Sequence, residues 1–249
     1  MDTIKAAIFD LDGTLVDSMW VWEKIDIEFL GKRGHAVPEN LKDSITHLSF
    51  KQVAEYFKTT FSIDDSVEAI MDEWHEMAYN EYSNNVFLKE GAKEYLHNLK
   101  KAGIKIALAT SNSKPLLEAT LKSNGIYELF DSITVTDEVK KGKDNPDIYL
   151  LAAEKLNVDP ADCMVYEDII AAVGGAKLAG MNVTAVYDKA SEKDLNILKE
   201  KADKYIYSYK ELLSKRVPWK ALFFNDELWI TNYELRMKFL QNFWKLYFF

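Results

Sequence analysis

The stretch AAIFDLDGTLVDS, residues 6–18, drives an apolar run straight into two carboxylates, Asp10 and Asp12, followed by Gly13 and Thr14. Residues 6–9 read as a strand buried on both faces. Two like charges at one strand end are costly unless a cation or a shared proton offsets them. The plain explanation is a turn or a helix N-cap, where Asp and Gly are common. The chemical explanation is a metal-binding pair at the end of a central strand. The rest of the chain decides between them.

A chain of 249 residues that is 48% hydrophobic can bury a substantial core, as one domain or two. Its net charge of -9 argues against general nucleic-acid binding, which needs a basic surface. An anionic substrate stays open, because a local cation outweighs the global sign. Cys163 is the single cysteine, in the apolar run CMVY, and reads as a buried structural thiol with no disulfide partner. No signal peptide and no apolar run of membrane-spanning length are visible, so a soluble cytoplasmic chain is expected.

Periodicity changes in blocks. Residues 19–86 read as helical throughout, with capping-box form at residues 49–52 and one apolar face formed by Val67, Met71, Trp74, Ala78 and Tyr82. From Phe87 onward helices and short apolar strands alternate: a helix stopping at Gly103, strands at IKIALAT, residues 133–136, CMVYE and NVTAVY, with helices between. That alternation implies a parallel sheet with helices on both faces. In such sheets ligands bind beyond the carboxyl ends of the strands. A helical block inserted just after Asp10 would lie over that end as a lid.

The same strand ends carry three further polar clusters. IKIALAT runs into Ser111-Asn112-Ser113, either an ordinary N-cap or a set of donors for phosphate oxygens. The loop after ITVT holds Lys143, either solvated or reaching back to the site, with Lys140 and Lys141 as competitors. CMVYE ends on a second acidic pair, Glu167-Asp168. Carboxylates bind Mg²⁺, and hydroxyls with a lysine bind phosphate. Four such clusters at the ends of one parallel sheet favour the chemical reading.

The set FDLDGTLVDS, ATSNS, GKDNPDIYL and VYEDIIAAVGGAKLAGM resembles, in order, the four motifs of the haloacid dehalogenase superfamily. The resemblance runs from residue 1 to about 216. The helical insertion is similar to the cap of the subgroup with β-phosphoglucomutase and many small phosphatases. It implies an α/β, Rossmann-like core over residues 1–15 and 87–216, an all-helical cap over 16–86, and an extension over 217–249. It implies Asp10 as nucleophile and Asp12 as general acid and base. Mg²⁺ would be held by Asp10, the Asp12 carbonyl, Asp168 and Glu167, and phosphate by Ser111, Asn112 and Lys143.

The expected activity is Mg²⁺-dependent hydrolysis of a small phosphorylated metabolite through an aspartyl-phosphate. A hexose-phosphate mutase and a non-catalytic binding protein are the alternatives. The presence of Asp12 sets phosphate chemistry apart from dehalogenation, whose family members lack a second aspartate. Trp22 stands where the subgroup's phosphoglucomutases carry a histidine, which weighs against the mutase. Asp144-Asn145 separates Lys143 from Pro146, where the family pattern has proline directly after the lysine, and Ile169 and Ala172 also depart from it. Trp22 and His47 are candidate substrate contacts from the cap. Residues 217–249 are rich in Trp, Phe and Tyr and fit a capped amphipathic helix. That segment reads as a dimerisation or membrane-surface element, as a helix packed on the protein itself, or as a non-native end.

Overall fold

The computed structural model describes residues 4–45 and 50–213. In chain order the elements are β1 (Ala6–Phe9), β2 (Val16–Asp17), α1 (Val21–Lys32), α2 (Leu41–Ile45), α3 (Phe50–Thr60), α4 (Val67–Asn84) and β3 (Phe87–Leu88). There follow α5 (Ala92–Lys101), β4 (Lys105–Thr110), α6 (Lys114–Ser123), β5 (Ser132–Val135), α7 (Asp147–Leu156) and β6 (Cys163–Glu167). The last are α8 (Ile170–Leu178), β7 (Asn182–Val186), α9 (Leu195–Lys201), β8 (Lys204–Ile206) and α10 (Lys210–Leu213). His47, the expected capping box at residues 49–52 and the aromatic tail fall wholly or partly outside the described residues.

Six strands form one sheet in the order β5-β4-β1-β6-β7-β8, every pair parallel. The chain builds outward from β1 to β4 and β5, then crosses back to place β6 on the other flank of β1. That reversal opens a crevice at the carboxyl end of β1, the usual ligand position in open α/β sheets. Side chains alternate across β1: Ala7 and Phe9 pack into the core shared with α5, α6 and the cap, while Ala6 and Ile8 face α7 and α8. A strand buried on both faces shows no alternation in its sequence, only a continuous apolar run.

The helices α1–α4 form the inserted cap. Ser66 caps α4 by accepting from the Ala69 N–H at 3.1 Å, and the buried face runs Ile70, Trp74, Ala78, Glu81 and Tyr82. Trp74 packs edge-on against Phe29 and Phe57, with centroids 5.3 and 4.9 Å apart, a favoured arrangement for aromatic rings. Lys24 on α1 pairs with buried Glu81 on α4, and Asn85 donates to the other Glu81 oxygen at 2.8 Å. The chain enters and leaves the cap side by side: β2 and β3 pair antiparallel, Val16 opposite Leu88 and Asp17 opposite Phe87. Among the described residues no helix is long and apolar enough to cross a membrane. Cys163 is buried in the sheet, and burial pushes its thiol up to about 11.

Candidate active site

Asp10 directly follows β1, and its N–H donates to the Tyr166 carbonyl at 3.0 Å, carrying the strand pairing one residue past the strand end. Glu167 closes β6 and Asp168 follows it. Oxygens of Asp10, Glu167 and Asp168 lie within 4.8 Å of one another, all three side chains buried. Lys143 donates to Asp10 Oδ1 at 2.7 Å and pairs with Glu167 Oε1. Tyr149 donates its hydroxyl to the same Glu167 oxygen at 2.8 Å, and Thr14 donates to Asp168 Oδ1 at 3.2 Å.

Two carboxyls therefore share one ammonium, and a third, that of Asp168, lies within 4.8 Å of both. Burial, then the charges of Asp10 and Glu167, push Asp168 well above the usual carboxylate range, against the opposing pull of Lys143 and Lys89. Glu167 is raised by burial, with Lys143 opposing. Burial would lower Lys143, but the two acids it touches outweigh that and raise it. Glu167 Oε2 is buried without a hydrogen-bond partner. Surplus negative charge, oxygen donors only and one orphaned carboxylate oxygen fit a hard divalent cation.

Asp12 sits two residues away in a different setting. Ser18 and Tyr82 both donate to its Oδ1 at 2.6 Å, and Asn112 Nδ2 donates to its Oδ2 at 2.7 Å. Burial and the Asp10 charge raise its affinity for a proton, while the three donors oppose them. Asp12 is thus a lone carboxyl held by neutral groups, and Asp10 is one of a charged cluster.

Two glycines make the convergence possible. Gly13 has φ +78°, and a Cβ there would stand 2.4 Å from Asp168 Oδ2, so the turn between the aspartates closes on the second acidic pair only without a side chain. A Cβ on Gly175 of α8 would lie 2.1 Å from the Lys143 carbonyl. The loop carrying Lys143 packs directly on this helix, and the bond from the Asn145 N–H to the Gly142 carbonyl at 3.0 Å folds the Asp144-Asn145 insertion into a turn. Lys143, not Lys140 or Lys141, reaches the acids.

Of the other residues expected at the site, Asn112 is present but its amide holds Asp12, and its N–H donates to Thr110 Oγ1 at 3.0 Å. Ser111 is exposed at the carboxyl end of β4, while Ser113, not Ser111 or Asn112, occupies the N-cap position of α6. Trp22 lies on α1 with its ring edge-on to Phe50 at 5.8 Å, a contact within the cap. Sequence reading did not identify Thr14, Ser18, Tyr82, Lys89 or Tyr149 as site residues. Thr14 and Ser18 lie inside the opening motif and were within reach; Tyr82 read simply as part of an apolar helix face. Lys89, just after β3, donates to the carbonyls of Gly13 and Tyr187 and pairs with Asp188 at 2.9 Å, bracing the second cap linker against the site turn.

The family model described as haloacid dehalogenase-like hydrolase matches residues 4–180. Hexitol phosphatase A of Escherichia coli is 32% identical over 223 residues, covering 86% of this chain and 95% of that protein. A phosphorylated carbohydrates phosphatase of Thermotoga maritima is 32% identical over 178 residues, covering 72% and 82%. Among solved structures, one from Thermotoga maritima, provisionally named a beta-phosphoglucomutase, is 29% identical with a TM-score of 0.72, covering 81% of this chain and 94% of that one.

Proposed function

The chain belongs to the haloacid dehalogenase-like hydrolases, and on that premise we propose that it is a Mg²⁺-dependent phosphatase acting on a small phosphorylated metabolite through an aspartyl-phosphate. The observation that carries the reading is the segregation of two neighbouring carboxyls, Asp10 among charges and Asp12 among neutral donors. One reaction needs both, a nucleophile and a proton carrier.

Asp10 is oriented by its backbone bond to Tyr166 and by Lys143. One carboxylate oxygen of Asp10 bonds to phosphorus as the ester P–O bond breaks. Asp12 gives its proton to the departing oxygen. A water then loses a proton to Asp12 and attacks phosphorus, and breakage of the P–O bond to Asp10 releases orthophosphate and restores both side chains. Lys143 and Ser111 are the donors nearest in role to the transferring phosphoryl group, while Asn112 serves it indirectly by holding Asp12. Mg²⁺ held by Asp10, Glu167, Asp168 and the Asp12 carbonyl would offset the charge of a dianionic ester.

The names of the two phosphatase relatives direct the substrate search to sugar and polyol phosphates. The test is phosphate release from such a panel, with Mg²⁺ or EDTA, by the wild type and by Asp10→Asn. Release should need the metal and fall by roughly 10³-fold or more in the variant, as expected for loss of a nucleophile. No release from any ester by folded protein rejects the reading. The provisional name of the Thermotoga structure favours a second reading, a hexose-phosphate mutase. Isomerised sugar without free phosphate, from hexose 1-phosphate and a trace of bisphosphate, would establish it instead.

A further inference from the structure

Tyr82 ends the buried face of α4, its side chain 2% exposed. A phenol can be buried among apolar neighbours only if its hydroxyl finds a partner. Here the partner is not in the cap. The hydroxyl donates to Asp12 Oδ1 at 2.6 Å, across 70 residues of sequence. Thr120 on α6 of the core donates its hydroxyl to the Tyr82 backbone carbonyl at 2.8 Å, so the core grips the same residue a second time.

The donors around Asp12 differ in what they tolerate. The Asn112 Nδ2 group donates and cannot accept, so it suits an unprotonated Oδ2. The Ser18 and Tyr82 hydroxyls can donate to a carboxylate and, after rotating, accept from a carboxylic acid. Both lie on Oδ1. A proton on Asp12 is therefore compatible with the surrounding bonds at Oδ1.

Resting on the phosphatase reading above, we propose that Tyr82 is a positioning residue for proton transfer. The cap helix α4 supplies a hydroxyl that holds the Asp12 carboxyl in place as it passes its proton to the leaving oxygen and takes one from water.

Tyr82→Phe deletes only the hydroxyl and keeps the ring that packs. The readout is kcat/KM for two esters, the best alkyl phosphate of the panel and 2,4-dinitrophenyl phosphate, whose leaving group needs no proton. Loss of one hydrogen bond to the acid should lower kcat/KM for the alkyl ester roughly tenfold and leave that for the dinitrophenyl ester within about twofold. A burst of dinitrophenolate should precede the steady state, because Asp12 must still activate water in the second step. The dinitrophenyl ester also reports on folding, together with the melting temperature of the variant. Equal losses on both esters, or undiminished alkyl-ester hydrolysis, overturn the role of Tyr82 and leave the phosphatase intact. A wild type inactive on both esters overturns the phosphatase reading and this one with it.

Discussion

Asp10 and Asp12 stand on one turn, yet the surroundings of one are ionic and those of the other are neutral. Around Asp10 the sheet end gathers Glu167, Asp168 and Lys143 within direct reach. Around Asp12 the linker, the cap and the β4–α6 loop each contribute one uncharged donor. A carboxyl that attacks or binds metal must stay ionised, which a lysine and a cation favour. A carboxyl that carries a proton must hold and release it, which uncharged donors permit. Two identical residues one position apart thus meet different surroundings, which the fold brings against each.

The largest expected effect tests whether the two environments are separable. Asp12→Asn should lower kcat by about 10²–10⁴-fold, the usual contribution of general acid–base catalysis. Because the Asp12 side chain stands outside the acidic cluster, adding Mg²⁺ should raise the melting temperature of the wild type and of this variant alike. Loss of that rise, measured by thermal melts with and without metal, would merge the two environments into one.

Lys143→Met tests the charge balance of the cluster. Removing the ammonium leaves buried carboxyls uncompensated, a loss of about 3–5 kcal/mol in folding stability. Mg²⁺ should restore more of the melting temperature in this variant than it adds to the wild type, since a ligand of the folded state stabilises it. A variant as stable as the wild type in EDTA would show that the lysine is not the balancing charge.

Asp26 provides a smaller contrast. On α1, burial and then the nearby Glu23 push its carboxyl up to about 7, as an isolated group and not as part of a cluster. The folded state holds this proton more tightly than the unfolded chain, so its contribution to stability is present at low pH and is lost as pH rises toward 7. Asp26→Asn should leave stability nearly unchanged at pH 4 and raise it at pH 8 by about 1–2 kcal/mol, solvent screening limiting the gain. Metal should not alter the difference. A gain that vanishes with Mg²⁺ would tie Asp26 to the site.

How much of this was legible depends on how local each cause is. The run into Asp10 and Asp12, the alternation after Phe87 and the acidic pair closing β6 are local patterns, and the sheet follows them. Strand and helix limits shifted by a residue or two, as at β4, which begins at Lys105 instead of Ile104. The two-residue strands β2 and β3 are too short to carry any period, so the linker hairpin was invisible. Lys143 stood out from Lys140 and Lys141 by the motif around it, and the packing of its loop on Gly175 shows how it reaches the acids. Tyr82 was read by its ring, which is buried as the pattern implies, while the target of its hydroxyl depends on a tertiary contact. The place of Asn112 after a strand points to phosphate, while its bond to Asp12 depends on a tertiary contact that no local pattern carries.

The paired linkers also bear on how such a molecule can be rebuilt. Since the chain leaves the core at Val16 and Asp17 and returns at Phe87 and Leu88 directly opposite, the two points at which a cap could be exchanged already touch. A foreign helical segment whose ends lie side by side would meet the core at that seam. It would fit the seam yet arrive without the phenol that α4 extends to Asp12, so a graft that restores shape must also carry that hydroxyl.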